Sequence, residues 1–179
     1  ISSHSLNQTS QMKKSTLRVL LSVLVFYVLN GCTKEEIPAS LISGNWGVSE
    51  VIVVINTTNT PISNETYTQS FKNVKHAFNE DNTYVFTDID GEKTQGTWAY
   101  SADTKELVIT YPSIDYEERF EVLTSTSNEL ILKTPTVDVE KASSDQDLET
   151  LFTASILLLD TPAEEIEPKT IAITYKLTK

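Results

Sequence analysis

The sequence predicts an all-β fold, an antiparallel up-and-down barrel of about eight to ten strands. Two observations carry this. From residue 41 onward, short runs of alternating apolar and polar residues are separated by turn residues. The final run alternates most clearly: Ile171, Ile173, Tyr175 and Leu177 point one way, and Ala172, Thr174 and Lys176 the other. That pattern describes a sheet with one buried and one wet face, and closing such a sheet removes its exposed edges.

The first strand is expected from Trp46 to Ile55, with its β-branched run Val51-Ile52-Val53-Val54-Ile55. Residues 56–66 are polar. Strands follow over Tyr67–Phe71 and Val74–Phe78, and Asn79-Glu80-Asp81-Asn82 forms a turn. Thr83–Ile89 and Thr94–Tyr100 flank Asp90-Gly91, a strong hairpin signal. Ser101–Lys105 turns into Glu106–Tyr111. After Pro112–Asp115, Tyr116–Leu123 and Glu129–Lys133 make another hairpin. Residues 135–147 read as an acidic loop.

The segment 148–159 is ambiguous. Leu148, Leu151, Phe152, Ser155, Ile156 and Leu159 fit a helical stripe, and Ser144-Asp145-Gln146-Asp147 offers cap chemistry. Ile156–Leu159 also fits a buried strand. A short helix near 145–150 followed by a strand is the expectation.

Ahead of this domain stands an export signal. Met12-Lys13-Lys14-Ser15-Thr16-Leu17-Arg18 is basic, and Val19–Val28 is apolar. The segment closes on Leu29-Asn30-Gly31-Cys32. The apolar run falls short of the roughly 20 residues that span a bilayer, and matches a signal-peptide core. Cys32 is the only cysteine. Its position resembles the lipobox of bacterial lipoproteins, which implies lipidation of Cys32. Two or more acyl chains, palmitate among them, would anchor stably at about 0.8 kcal/mol per buried CH₂. Residues 1–11 precede the only methionine and are read as an upstream extension. Residues 12–31 are then the signal peptide, 32–40 a lipidated tether and 41–179 the barrel domain. Lys34-Glu35-Glu36 resembles the surface-export tag of Bacteroidota lipoproteins, and also reads as a plain solvated linker. The expected location is the outer membrane, with the cell surface implied by the tag.

Without residues 1–31 the chain keeps 11 basic and 25 acidic residues, a net charge of −14. That charge argues against nucleic acid and against electrostatic attachment to anionic lipid. With no further cysteine, stability rests on the core, which this length can supply.

Leu41-Ile42-Ser43-Gly44-Asn45-Trp46 resembles the opening of lipocalins, in which the Trp closes the barrel base. Phe78–Phe86, Gly96-Thr97-Trp98, Leu107-Val108-Ile109, Asn128–Leu132 and the ending Ile173–Lys179 are similar to the lipocalin-like domain of Bacteroidota lipoproteins. The resemblance covers 41–134 and 169–179, and implies a lipocalin-like barrel with Trp46 as the barrel-closing residue. Two family features are missing: a mid-barrel Thr-Asp-x-x-Tyr, and a late Arg packing on the first Trp. The last strand offers only Lys176 and Lys179.

Little here points to catalysis. His76 is the only histidine after the cleavage site, and reads as a strand or surface residue. Asp88-Ile89-Asp90-Gly91-Glu92 starts like a calcium loop, but position 99 is Ala, so a hairpin turn is expected. The acids at 80–81, 115–118 and 138–149 read as solvated loop charges. No enzyme activity, cofactor or metal is expected. Tyr84, Phe86, Trp98 and Tyr100 would fill the barrel or line a cavity within it. The leading expectation is binding of a small apolar ligand there. The alternative is a filled barrel acting as a structural or protein-interaction module.

Overall fold

The structure is a computed structural model that describes residues 37–60, 62, 65–160 and 168–179. Residues 12–31, Cys32 and Lys34–Glu36 lie outside the described residues. Ten strands form one antiparallel sheet: β1 (Gly44–Ile55), β2 (Thr58–Thr60), β3 (Lys75–Phe78), β4 (Thr83–Thr87), β5 (Lys93–Ser101), β6 (Glu106–Tyr111), β7 (Tyr116–Ser125), β8 (Glu129–Lys133), β9 (Val137–Asp138) and β10 (Thr170–Thr178). β1 also pairs with β10, so eight strands close a barrel, and the short β2 and β9 extend its rim. Among the described residues the α-helices are α1 (Glu65–Phe71) and α2 (Asp145–Leu157), and a 3-10 turn at Ala39–Leu41 precedes β1.

Up-and-down order gives the barrel two unlike ends. One end holds the tight turns at 79–82, 102–105 and 126–128, where the chain enters and β10 finishes. The other holds the turns at 88–92 and 112–115 and the two excursions that carry α1 and α2.

Inward positions alternate as expected along β6 and β8, where Leu107, Ile109, Tyr111, Leu130 and Leu132 are buried. Two β-bulges change the phase elsewhere. In β1 the register shifts between Val48 and Glu50, so Trp46 and Val48 face inward before it and Val51, Val53 and Ile55 after it. In β7 the shift lies between Val122 and Thr124 and leaves Leu123 exposed. Gly96 is required by close approach, since a Cβ there would meet the Thr110 carbonyl oxygen at 2.5 Å.

Three expectations are corrected. Tyr67–Phe71 is helical, despite residues that favour strands; β propensity reflects packing context and yields to it. The helix at 145 continues to Leu157, and 158–160 form a turn where the strand was expected. The Ser144 hydroxyl caps Asp147 N at 3.1 Å, and the Asp147 carboxylate accepts from Ser144 N at 3.1 Å. Its buried face is Thr150, Ala154 and Leu157, while Leu148 and Phe152 of the expected stripe are exposed. Lastly, β10 has no wet face over Ala172 and Thr174. Both are buried, on a strand paired along both edges and packed by α2.

Candidate functional site

The end where the chain enters is solid. Ile42, Trp46, Phe78, Tyr84, Leu107, Ile109, Leu130 and Leu177 are almost wholly buried there. Trp46 Nε1 donates to the Ile42 carbonyl at 2.7 Å, and Trp98 Nε1 to the Asn79 carbonyl at 2.9 Å. The Lys179 ammonium lies 4.4 Å from the Trp46 ring centroid and donates to the Ser43 carbonyl at 3.2 Å. Gly44, at φ +138°, leaves room for it: a Cβ there would stand 2.7 Å from Lys179 Cε. The lysine therefore covers the Trp ring with its cation.

The opposite end holds a cavity of about 360 Å³, at the lower end of the size range of small-molecule sites. An eight-stranded barrel is just wide enough to be filled by side chains or to hold one small ligand. Here the lower half is filled and the upper half is not. The walls include Phe86, Tyr111, Phe120, Leu132 and Tyr175. Phe71 of α1, Ile89, Ile114, and Glu149 and Thr153 of α2 surround the mouth.

A string of polar groups runs down one wall. His76 Nδ1 shares a hydrogen bond of 2.7 Å with the Tyr84 hydroxyl. Tyr84 meets Tyr111 edge-on, with ring centroids 5.9 Å apart. The Tyr111 hydroxyl donates to Glu118 Oε2 at 3.0 Å. Nearer the mouth, Tyr116 stacks on Tyr111 and its hydroxyl donates to Glu149 Oε2.

Burial sets the protonation of this string. Desolvation pulls His76 down to about 4, so it is a neutral imidazole at neutral pH. Desolvation, then the Glu149 charge, pushes the Glu118 carboxyl up to about 7, against the opposing Tyr111 hydrogen bond. Burial raises the Tyr84 and Tyr111 hydroxyls far above the ordinary phenol range. Among the described residues no group of three or more His, Cys, Asp or Glu is placed to hold a metal ion. Asp88 Oδ1 instead accepts from Asp90 N and Glu92 N, each at 2.9 Å, and so organises its hairpin.

Of the four aromatics singled out in the sequence, Phe86 lines the cavity. Tyr84 and Trp98 are buried below it, and Tyr100 pairs with Leu107 nearer the closed end. Trp46 sits within the solid end. His76 faces inward and not to solvent. Glu118 and Glu149 are not free loop charges: both line the cavity and take a tyrosine hydroxyl. A signal for Glu118 exists in the sequence, because it falls at spacing two between Tyr116 and Phe120, in the middle of an inward-facing set. Alternation along the last strand places Tyr175 with Ile173 and Leu177 on the inward face, whereas nothing local marks Glu149, which reaches the site from α2.

The family model described as a lipocalin-like domain matches residues 42–132. No functionally curated protein matches the chain. Among solved structures, a lipocalin-like protein from Bacteroides uniformis ATCC 8492 is 13% identical, with a TM-score of 0.37; the match covers 78% of this chain and 98% of that one.

Proposed function

The chain belongs to the lipocalin-like domain family, and from that premise we propose that it is a lipid-anchored lipoprotein of the outer membrane or cell surface whose barrel binds a small, mainly apolar ligand. The cavity of about 360 Å³ beneath α2, walled by aromatic rings, carries the binding half of this reading. The basic and apolar segment 12–31 ahead of Cys32 supports the anchor, and Lys34-Glu35-Glu36 supports surface export. The described chain enters the barrel at its solid end, opposite the cavity mouth.

Two experiments test the two halves. An uncharged fluorescent probe, N-phenyl-1-naphthylamine, is expected to bind with a stoichiometry of one; absence of saturable binding to the folded protein would sink the ligand reading. Cys32→Ala is expected to lose metabolic labelling by fatty acid, and a mutant that stays labelled would overturn the anchor. The exposed apolar residues Ile114, Leu148, Phe152 and Leu159 favour a second reading, an interaction module working through this end of the barrel. Failure of probe binding would favour it.

A further inference from the structure

The cavity has an uneven charge inventory. Among the described residues its lining includes three carboxylates, Asp88, Glu118 and Glu149, and neither Lys nor Arg. The one basic side chain among them is His76, whose Nδ1 is already engaged by Tyr84. The described ion pairs all use other acids: Arg119 with Glu106 and Glu117, Lys141 with Asp138, and Lys176 with Glu50 and Glu129. Glu118 and Glu149 each receive one tyrosine hydroxyl, and an ionised carboxylate can accept about four hydrogen bonds, so both keep accepting capacity. Six aromatic rings, those of Phe71, Phe86, Tyr111, Tyr116, Phe120 and Tyr175, complete the walls. Ring faces attract cations, and more strongly where water is excluded.

We infer that the ligand is a cationic amphiphile, an amine or quaternary ammonium on a short apolar body, with its positive head between Glu118, Glu149 and the ring faces and its apolar part against Leu132 and Phe120. This rests on the proposed ligand-binding role of the cavity. A carboxylate-headed ligand of the same length would bring a like charge into a site that offers no cation to meet it. Charge interactions strengthen as the effective dielectric falls, so the repulsion would be largest at the depth of Glu118. An alcohol would be tolerated, accepting from or donating to the tyrosines.

The test is competition against N-phenyl-1-naphthylamine on the full chain at pH 8, using three compounds with the same decyl chain: decyltrimethylammonium, decanol and decanoate. The ammonium is expected to displace the probe at a concentration at least tenfold lower than decanoate, with decanol between them. The double variant Glu118→Gln, Glu149→Gln is expected to bring the ammonium within about threefold of decanol. Decanoate competing as well as the ammonium in the wild type would overturn the inference without any variant. So would a double variant, folded by circular dichroism, that keeps the ammonium preference. If the probe and all three compounds fail to bind, the cavity's ligand-binding role falls, and this inference with it.

Discussion

The two ends of the barrel are made of the same materials, inward-facing aromatics with a few polar atoms, and they behave differently because of where those polar atoms are tied. At the solid end three polar side chains are tied to the backbone: Trp46 to the Ile42 carbonyl, Trp98 to the Asn79 carbonyl, Lys179 to the Ser43 carbonyl. Such partners are fixed by the strands and turns themselves. At the open end side chains are tied to side chains: His76 to Tyr84, Tyr111 to Glu118, Tyr116 to Glu149. Those pairs turn about their own torsions and can trade a partner for a ligand. One end is a plug and the other keeps an open cavity.

Substitutions can break this contrast. The largest effect is expected from Trp46→Ala. Truncating a buried Trp costs about 3–5 kcal/mol, a large share of a domain stability of about 5–15 kcal/mol. The denaturant midpoint should fall sharply, and an unchanged midpoint would mean that the plug does not hold the barrel.

Next comes the pH dependence of the open end. Glu118 has a folded-state pKa raised from 4.5 to about 7, so the native state holds the proton more tightly than the unfolded chain. Stability is therefore lost as pH rises through this window. Relative to Glu118→Gln, the wild type should lose about 2–3 kcal/mol between pH 5 and pH 8. His76 works in the opposite direction: its folded value of about 4 lies below 6.5, so stability is lost as pH falls from 6.5 towards 4. That contribution is common to both proteins and drops out of their difference. Denaturant midpoints of wild type and variant at the two pH values decide it; parallel curves would place Glu118 in water.

Phe86→Trp sharpens the comparison from the ligand's side. In a packed interior the larger ring would cost about 1–3 kcal/mol by overpacking. In the cavity it should cost less than about 1 kcal/mol and reduce probe binding by about tenfold. Titration and melting of the same variant separate these outcomes. The smallest effect is expected from Lys179→Ala, a loss of about 0.5–1 kcal/mol from the exposed cation–π contact. Lys179→Arg should retain it, and equal losses in both variants would assign the effect to something other than charge over the ring.

The sequence alone determined the barrel strands β1 and β3 to β8 to within a few residues, but not β2, because alternation has a period of two and turns such as Asp90-Gly91 carry their own chemistry. It also determined the capped start of α2 at Ser144, which depends on four consecutive residues. Only the tertiary structure decided the rest. Whether Tyr67–Phe71 coils or extends depends on what packs over it, and a stripe such as Leu148, Leu151 and Phe152 does not say which face of its helix turns inward. The bulges in β1 and β7 reverse inward parity in mid-strand, so no periodicity runs through them. The cavity lies furthest from the local signal. Its walls come from β3 to β8, β10 and both helices, and a void is defined by the side chains that fail to meet, which only closure of the barrel brings face to face.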